Sequence, residues 1–156
     1  MQTLKIQIPQ GFKIGKFDET KGEVSFIPLP KDIKERVQSI DDVINVLGID
    51  DADVVDYHKL ISVKVADHIL ANQELVIITK ALNEGWTPDW HNDEWDKWFN
   101  WFYNSSSSSG RFSFNDAFGS LISFSRCGSR LCFKSKELAQ YAAKQFLDTY
   151  KRAFTI

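Results

Sequence analysis

The chain is poor in nearly everything that would mark a specialised class. It has only two cysteines, Cys127 and Cys132. Two thiols do not make a disulfide scaffold, and a single C-x4-C lacks the second ligand pair of a zinc site. The two can pair across a hairpin, but reduced thiols of an intracellular protein are the expectation. No run of about 18 apolar residues exists, so no membrane-spanning helix is expected. The amino end, MQTLKIQIPQG, has no apolar segment of the signal-peptide kind, and a cytoplasmic location is expected. Charge of one sign is also missing: the formal net charge is −2, which gives the whole molecule no pull toward nucleic acid. Hydrophobic (43%) and charged (26%) residues occur at ordinary globular levels, so disordered, collagen-like and mucin-like classes are set aside. The 156 residues suit one domain, 1–156, with a core that needs no metal or disulfide.

Motifs of known chemistry are absent too. There is no Walker A loop, no G-x-G-x-x-G fingerprint, no G-x-S-x-G elbow and no H-E-x-x-H helix. The three histidines, His58, His68 and His91, lie far apart in sequence, and a Cys–His nucleophile has no support. No catalytic residue, metal ligand or cofactor is therefore assigned. Asp89, His91, Asp93, Glu94 and Asp96 crowd one stretch, but their spacing fits no known metal loop and a solvated loop is the simpler reading.

What is present is an uneven distribution. Asp41 to Asp56 holds six acids and no base, while Arg126 to Ile156 holds seven bases and two acids. All five tryptophans, Trp86, Trp90, Trp95, Trp98 and Trp101, fall in one stretch, and eight of the eighteen residues from Trp86 to Tyr103 are aromatic. That is more than one sheet face easily buries, so some rings are expected outside.

Periodicity gives an α+β reading. Leu4 to Ile8 alternates apolar and polar, Phe12 and Ile14 continue the pattern, Gly22 closes a turn, and Val24 to Pro28 return. Residues 3–28 therefore read as a β-hairpin or short meander that needs later elements to pack on. Ser39 with Asp42 resembles a capping box ahead of a helix over 40–47, stopped by Gly48. The acid-rich residues 49–64 read as irregular or weakly helical. A longer helix over 65–84 follows, with Ala66, Ile69, Leu70, Val76, Ile77, Lys80 and Ala81 near helical spacing and Gly85 as its stop. Residues 89–96 read as an acidic loop and 97–103 as an aromatic strand. Ser105 to Gly110 suits a hairpin tip, with Phe112 and Phe114 on the return. Leu121 to Phe124 reads as a further strand, Cys127 to Ser129 as a tight turn and Arg130 to Lys134 as the last strand. Ser135 caps a closing helix over 136–153 that covers the aromatic antiparallel sheet.

Two phrases, LNEGWTPDW (82–90) and GSRLCFKSKELAQYAAKQFLDTYK (128–151), resemble a group of small uncharacterised proteins of phages and mobile elements in gut Bacteroidetes. The resemblance covers roughly residues 80–156. It implies an accessory role in such an element and carries no catalytic residues.

The candidate binding residues are Trp86, Trp90, Trp95, Trp98, Trp101 and Tyr103, with Arg126, Arg130 and Lys134 near the ends of the last hairpin. Exposed rings among these suit a protein interface. With the basic residues they suit stacked single-stranded bases instead. Residues 81–104 hold five acids against one lysine, which repels phosphate and ranks a protein partner above nucleic acid. An enzyme with an unrecognised site is the remaining reading.

Overall fold

The computed structural model describes residues 5–29, 31–92, 94–104, 112–120 and 129–155. The chain forms two units, Met1–Asp32 and Ile33–Ile156. The first is an antiparallel hairpin of β1 (Phe12–Asp18) and β2 (Glu23–Pro28), with Ile14 opposite Phe26 and Asp18 opposite Glu23. Its turn follows from residue chemistry: the Asp18 carboxylate accepts the N–H groups of Thr20 and Lys21, and Gly22 takes a φ of 68°. Of the alternating stretch Leu4–Ile8, the described residues Lys5 to Ile8 make no strand, because they find no ladder partner among the described residues.

The second unit opens with α1 (Ile33–Arg36) and α2 (Ile40–Leu47). The capping box forms as expected: Ser39 Oγ accepts from Asp42 N at 3.2 Å, and Asp42 Oδ2 accepts from Ser39 N at 3.0 Å. Residues 49–64 correct the sequence reading, because α3 (Ala52–Ser62) is a full helix. Its acids serve the helix rather than oppose it: Asp51 caps by accepting from Asp53 N, and Asp53 lies in the first turn. Val54 and Tyr57, three residues apart, are its buried side.

Next comes α4 (Asp67–Asn83), the centre of the core, against which α2, α3, α5 and α6 all pack. Ala71, Leu75, Ile77, Ile78, Ala81 and Leu82 are completely buried, so the β-branched run stays helical through burial on several sides. It ends with Glu84 in the left-handed region (φ 49°) and Gly85 at φ 82°. The aromatic hairpin follows, β3 (Lys97–Asn104) antiparallel to β4 (Phe112–Ser120), with an irregular register between Trp101 and Phe102. The proposed hairpin tip at 105–110 and strand at 121–124 lie outside the described residues.

Two further expectations change. Arg130 to Lys134 is no strand: Ser129–Leu131 is a 3₁₀ turn, and only Phe133 joins the sheet, exchanging both backbone bonds with Trp98. The Ser129–Leu131 turn takes up the backbone that a longer ladder would need. The closing helix is two, α5 (Lys136–Gln145), capped by Ser135, and α6 (Leu147–Phe154), because Phe146 leaves helical geometry (φ −113°, ψ 33°). The break gives each half its own partner: α5 lies on β3 and β4, while α6 lies mainly on α4. Among the described residues no helix is long and apolar enough to cross a membrane.

Carboxylates at three junctions sit below their ordinary value of 3.8. The leading causes are the Ser39 hydroxyl for Asp42, Arg152 for Asp67, and the Ala117 N–H for Asp116. A carboxylate depressed in the folded state adds stability that is complete above the unfolded value and is lost as pH falls through the folded value. The urea midpoint is therefore expected to stay level from pH 7 to about 5 and to fall below about pH 4. Asp67→Asn should flatten the fall. A midpoint at pH 3 equal to that at pH 7 would overturn the assignment.

Candidate functional site

The carboxyl half of α4 presents a second face besides the buried one. Val76, Thr79, Lys80 and Asn83 recur at i, i+3, i+4 and i+7, and this stripe floors a cleft of about 320 Å³. Beyond Gly85, Trp86, Thr87, Pro88 and Trp90 line the cleft, together with Arg130, Cys132 and, from α3, Asp53. Asn83 ties the 132–134 segment to α4. Its Nδ2 donates to the Cys132 carbonyl at 2.9 Å, and its Oδ1 accepts from Lys134 N at 3.0 Å.

The charges in the cleft are already matched. Lys80 Nζ bonds Asp51 at 2.8 Å and Asp53 at 2.7 Å. Burial works against the Lys80 ammonium, but these hydrogen bonds carry it above its ordinary 10.5, so it stays charged. Burial likewise opposes the Asp51 carboxylate, and Lys80 outweighs it and holds the group low. Arg130 stands at the rim, three-quarters exposed, with its guanidinium 3.5 Å from Asp53.

Thr79 is different. It is 2% exposed, and its hydroxyl has no hydrogen-bond partner among the described residues. A buried, unmet hydroxyl is uncommon enough in native proteins to require an explanation. Lys97 is fully buried, and its Nζ lies 5.5 Å from the Trp90 ring centroid. The same ammonium donates to the Asn92 carbonyl at 2.7 Å. The lysine is thus in cation–π contact with the indole.

The sequence-predicted residues do not come together on one surface. Trp86, Trp90 and Arg130 meet at the cleft. Trp98 is half-buried against the core, with Lys136 Nζ 5.8 Å from its ring. Trp95 is exposed, as are Trp101 (49%) and Tyr103 (59%), which sit two residues apart on β3. Phe118 of β4, 47% exposed, meets Trp101 edge-on at 5.8 Å. Lys134 is spent on Glu84 at 3.4 Å. Arg126 lies outside the described residues. Arg130 and Lys134 do not flank a last hairpin strand, since Arg130 belongs to the 3₁₀ turn.

The acidic stretch around His91 is turn chemistry: Asp89 accepts from His91 N, and Asn92 accepts from Glu94 N. Among the described residues no three His, Cys, Asp or Glu side chains are placed to share a metal ion. Cys132 is buried, and Cys127 lies outside the described residues, as does any pairing between them.

Sequence reading missed Thr79, Asn83 and Asp53 as parts of the cleft. A signal was available: Thr79, Lys80 and Asn83 are polar at i, i+1 and i+4 in the helix end ITKALN, which places them on one side of the helix. Phe118 was missed because the aromatic count stopped at Tyr103. No protein-family model matches the sequence, and neither the curated proteins nor the solved structures give a match.

Proposed function

We propose that this chain is a non-catalytic accessory protein that binds a protein partner on the outer face of its aromatic hairpin. The observation behind this reading is the set of rings Trp101, Tyr103 and Phe118, each about half exposed on β3 and β4. Isolated exposed apolar residues need no explanation, whereas a contiguous aromatic patch marks an interaction surface. Tryptophan and tyrosine are the favoured anchors of such surfaces. The patch is also firm, because Phe99, two residues before Trp101 on the same strand, is only 3% exposed. The resemblance of segments 82–90 and 128–151 to phage and mobile-element proteins supplies the context, a role inside such an element.

The cations do not favour a nucleic-acid platform. Lys134 pairs with Glu84, and Lys136 pairs with Asp116 at 3.3 Å. Phosphate binding has to break these pairs before it releases any counterion.

The test is site-specific photocrosslinking in host cells with a photoreactive phenylalanine at position 103. One discrete crosslinked protein is expected, lost when Trp101→Ala is added. With the purified pair, Trp101→Ala should weaken binding by roughly 30-fold, the effect of a central tryptophan anchor. A smear of products, or a pattern unchanged by Trp101→Ala, would refute the reading.

A further inference from the structure

We propose that the cleft over α4 is a binding site for a flat heteroaromatic ring bearing carbonyl oxygens, the chemistry of an oxopyrimidine or oxopurine. This inference is independent of the partner surface on the hairpin. Three observations carry it.

The first is shape. At about 320 Å³ the cleft lies at the small end of the range of about 300–1,000 Å³ typical of small-molecule sites, which suits one ring system. Trp86, Pro88 and Trp90 bring flat apolar surface to the lining, and the buried Lys97 lies against the Trp90 ring. Arg130 at the rim carries a planar guanidinium able to lie over a ring from the open side.

The second is the donor and acceptor inventory. The charged and amide acceptors in the cleft each already take a donor. Asp53 takes Lys80 and pairs with Arg130, the Asn83 oxygen takes Lys134 N, and the Cys132 carbonyl takes Asn83. Several donors take nothing. The indole N–H groups of Trp86 and Trp90 have no hydrogen-bond partner among the described residues. Lys80 keeps one of its three N–H bonds, and Arg130 keeps most of its five. A cleft with several donors spare and its charged and amide acceptors each engaged favours a ligand rich in acceptors.

The third is Thr79. It lines the cleft, and its hydroxyl, shielded from solvent, has no partner among the described residues, a cost that an apolar residue of the same shape would avoid. A ring carbonyl lying against Thr79 would accept its proton once the side chain turns toward the cleft.

The test follows the five indole N–H signals in a proton–nitrogen correlation spectrum, assigned with Trp86→Phe and Trp90→Phe. Inosine and adenosine form the decisive pair, since they differ at a carbonyl against an amino group on the same purine frame. Inosine is expected to shift the Trp86 and Trp90 signals saturably at millimolar concentration or below, with Trp101 unmoved. Adenosine should bind at least tenfold more weakly. Thr79→Val should keep the native spectrum and lose at least tenfold in inosine affinity. A parallel titration with oligothymidylate separates two sources of the ring. Tighter binding than uridine, with the same indole shifts and the same loss in Thr79→Val, places the ring in a strand; binding no tighter than uridine places it on a free nucleoside. Either result upholds the ring chemistry. Absence of shifts with all four probes, equal binding of inosine and adenosine, or unchanged affinity in Thr79→Val would overturn it.

Discussion

Replacing Arg152 by methionine is expected to destabilise the protein by about 3 kcal/mol, the lower end of the range for breaking a buried ion pair. Arg152, on α6, reaches across to α4 and joins two acids. Its Nη1 lies 2.9 Å from Glu74, whose side chain is only 6% exposed, and its Nε and Nη2 grip Asp67 at 2.8–3.0 Å. The two arms differ in weight. Asp67 is at the surface, where such a pair adds little. Glu74 is in the core, and without the guanidinium its charge keeps only a long hydrogen bond, 3.4 Å from Thr149 Oγ1. The lower end of the range applies because Arg152 itself is about one-third exposed. Urea denaturation gives the value. The double variant Glu74→Met with Arg152→Met should recover most of the loss, since no charge then remains buried. An Arg152→Met variant within about 0.5 kcal/mol of wild type would show that solvent already satisfies Glu74.

Phe102→Ala should cost a similar amount, about 3 kcal/mol, through lost burial and the cavity left behind. Phe102 is the hub of a ring cluster. Phe112 stacks on it at 4.8 Å, Tyr150 lies at 4.7 Å, and Phe114 and Phe154 meet it edge-on at 5.8 and 6.0 Å. Tyr150 is buried, which pushes its phenol well above the ordinary value and keeps it protonated, and Asn100 Nδ2 donates to its oxygen at 3.1 Å. Removing the hub therefore loosens β3, β4 and α6 together. The adjacent residue is the control. Trp101, on the other face, should change stability by no more than about 0.5 kcal/mol when replaced by alanine. Equal losses at 101 and 102 would mean that both faces of the hairpin are core.

The parts legible in the sequence were those with a local cause. The helix α2 was marked at both ends, by Ser39 with Asp42 and by Gly48. The aromatic strand β3 was legible because both faces of Trp98 to Tyr103 are aromatic, and only a pleated ribbon between a core and a surface uses that pattern. The parts that were not legible depend on distant partners. The acids of α3 read as turn formers until Lys80, nearly thirty residues away, is seen between Asp51 and Asp53. Phe133 looked like part of a strand because Leu131 and Cys132 precede it as an apolar run, yet only one residue pair with Trp98 forms. The break at Phe146 interrupts a smooth apolar stripe and has no proline or glycine to announce it. The cleft was half legible: its tryptophans stand out in the sequence, while its floor is a polar stripe on a helix otherwise read for its apolar side.

The placement of the tryptophans also makes the protein unevenly visible to light. All five indoles lie between residues 86 and 101, in the cleft lining, the aromatic hairpin and, for Trp95, the loop just before it, and none lies in β1, β2 or α1 to α4. Emission therefore reports the hairpin and cleft, whereas far-ultraviolet dichroism is dominated by the helices. For a cooperative molecule the two melting curves superimpose. A separation between them would identify the aromatic hairpin as a segment that opens on its own, and its order would tell which half of the chain yields first.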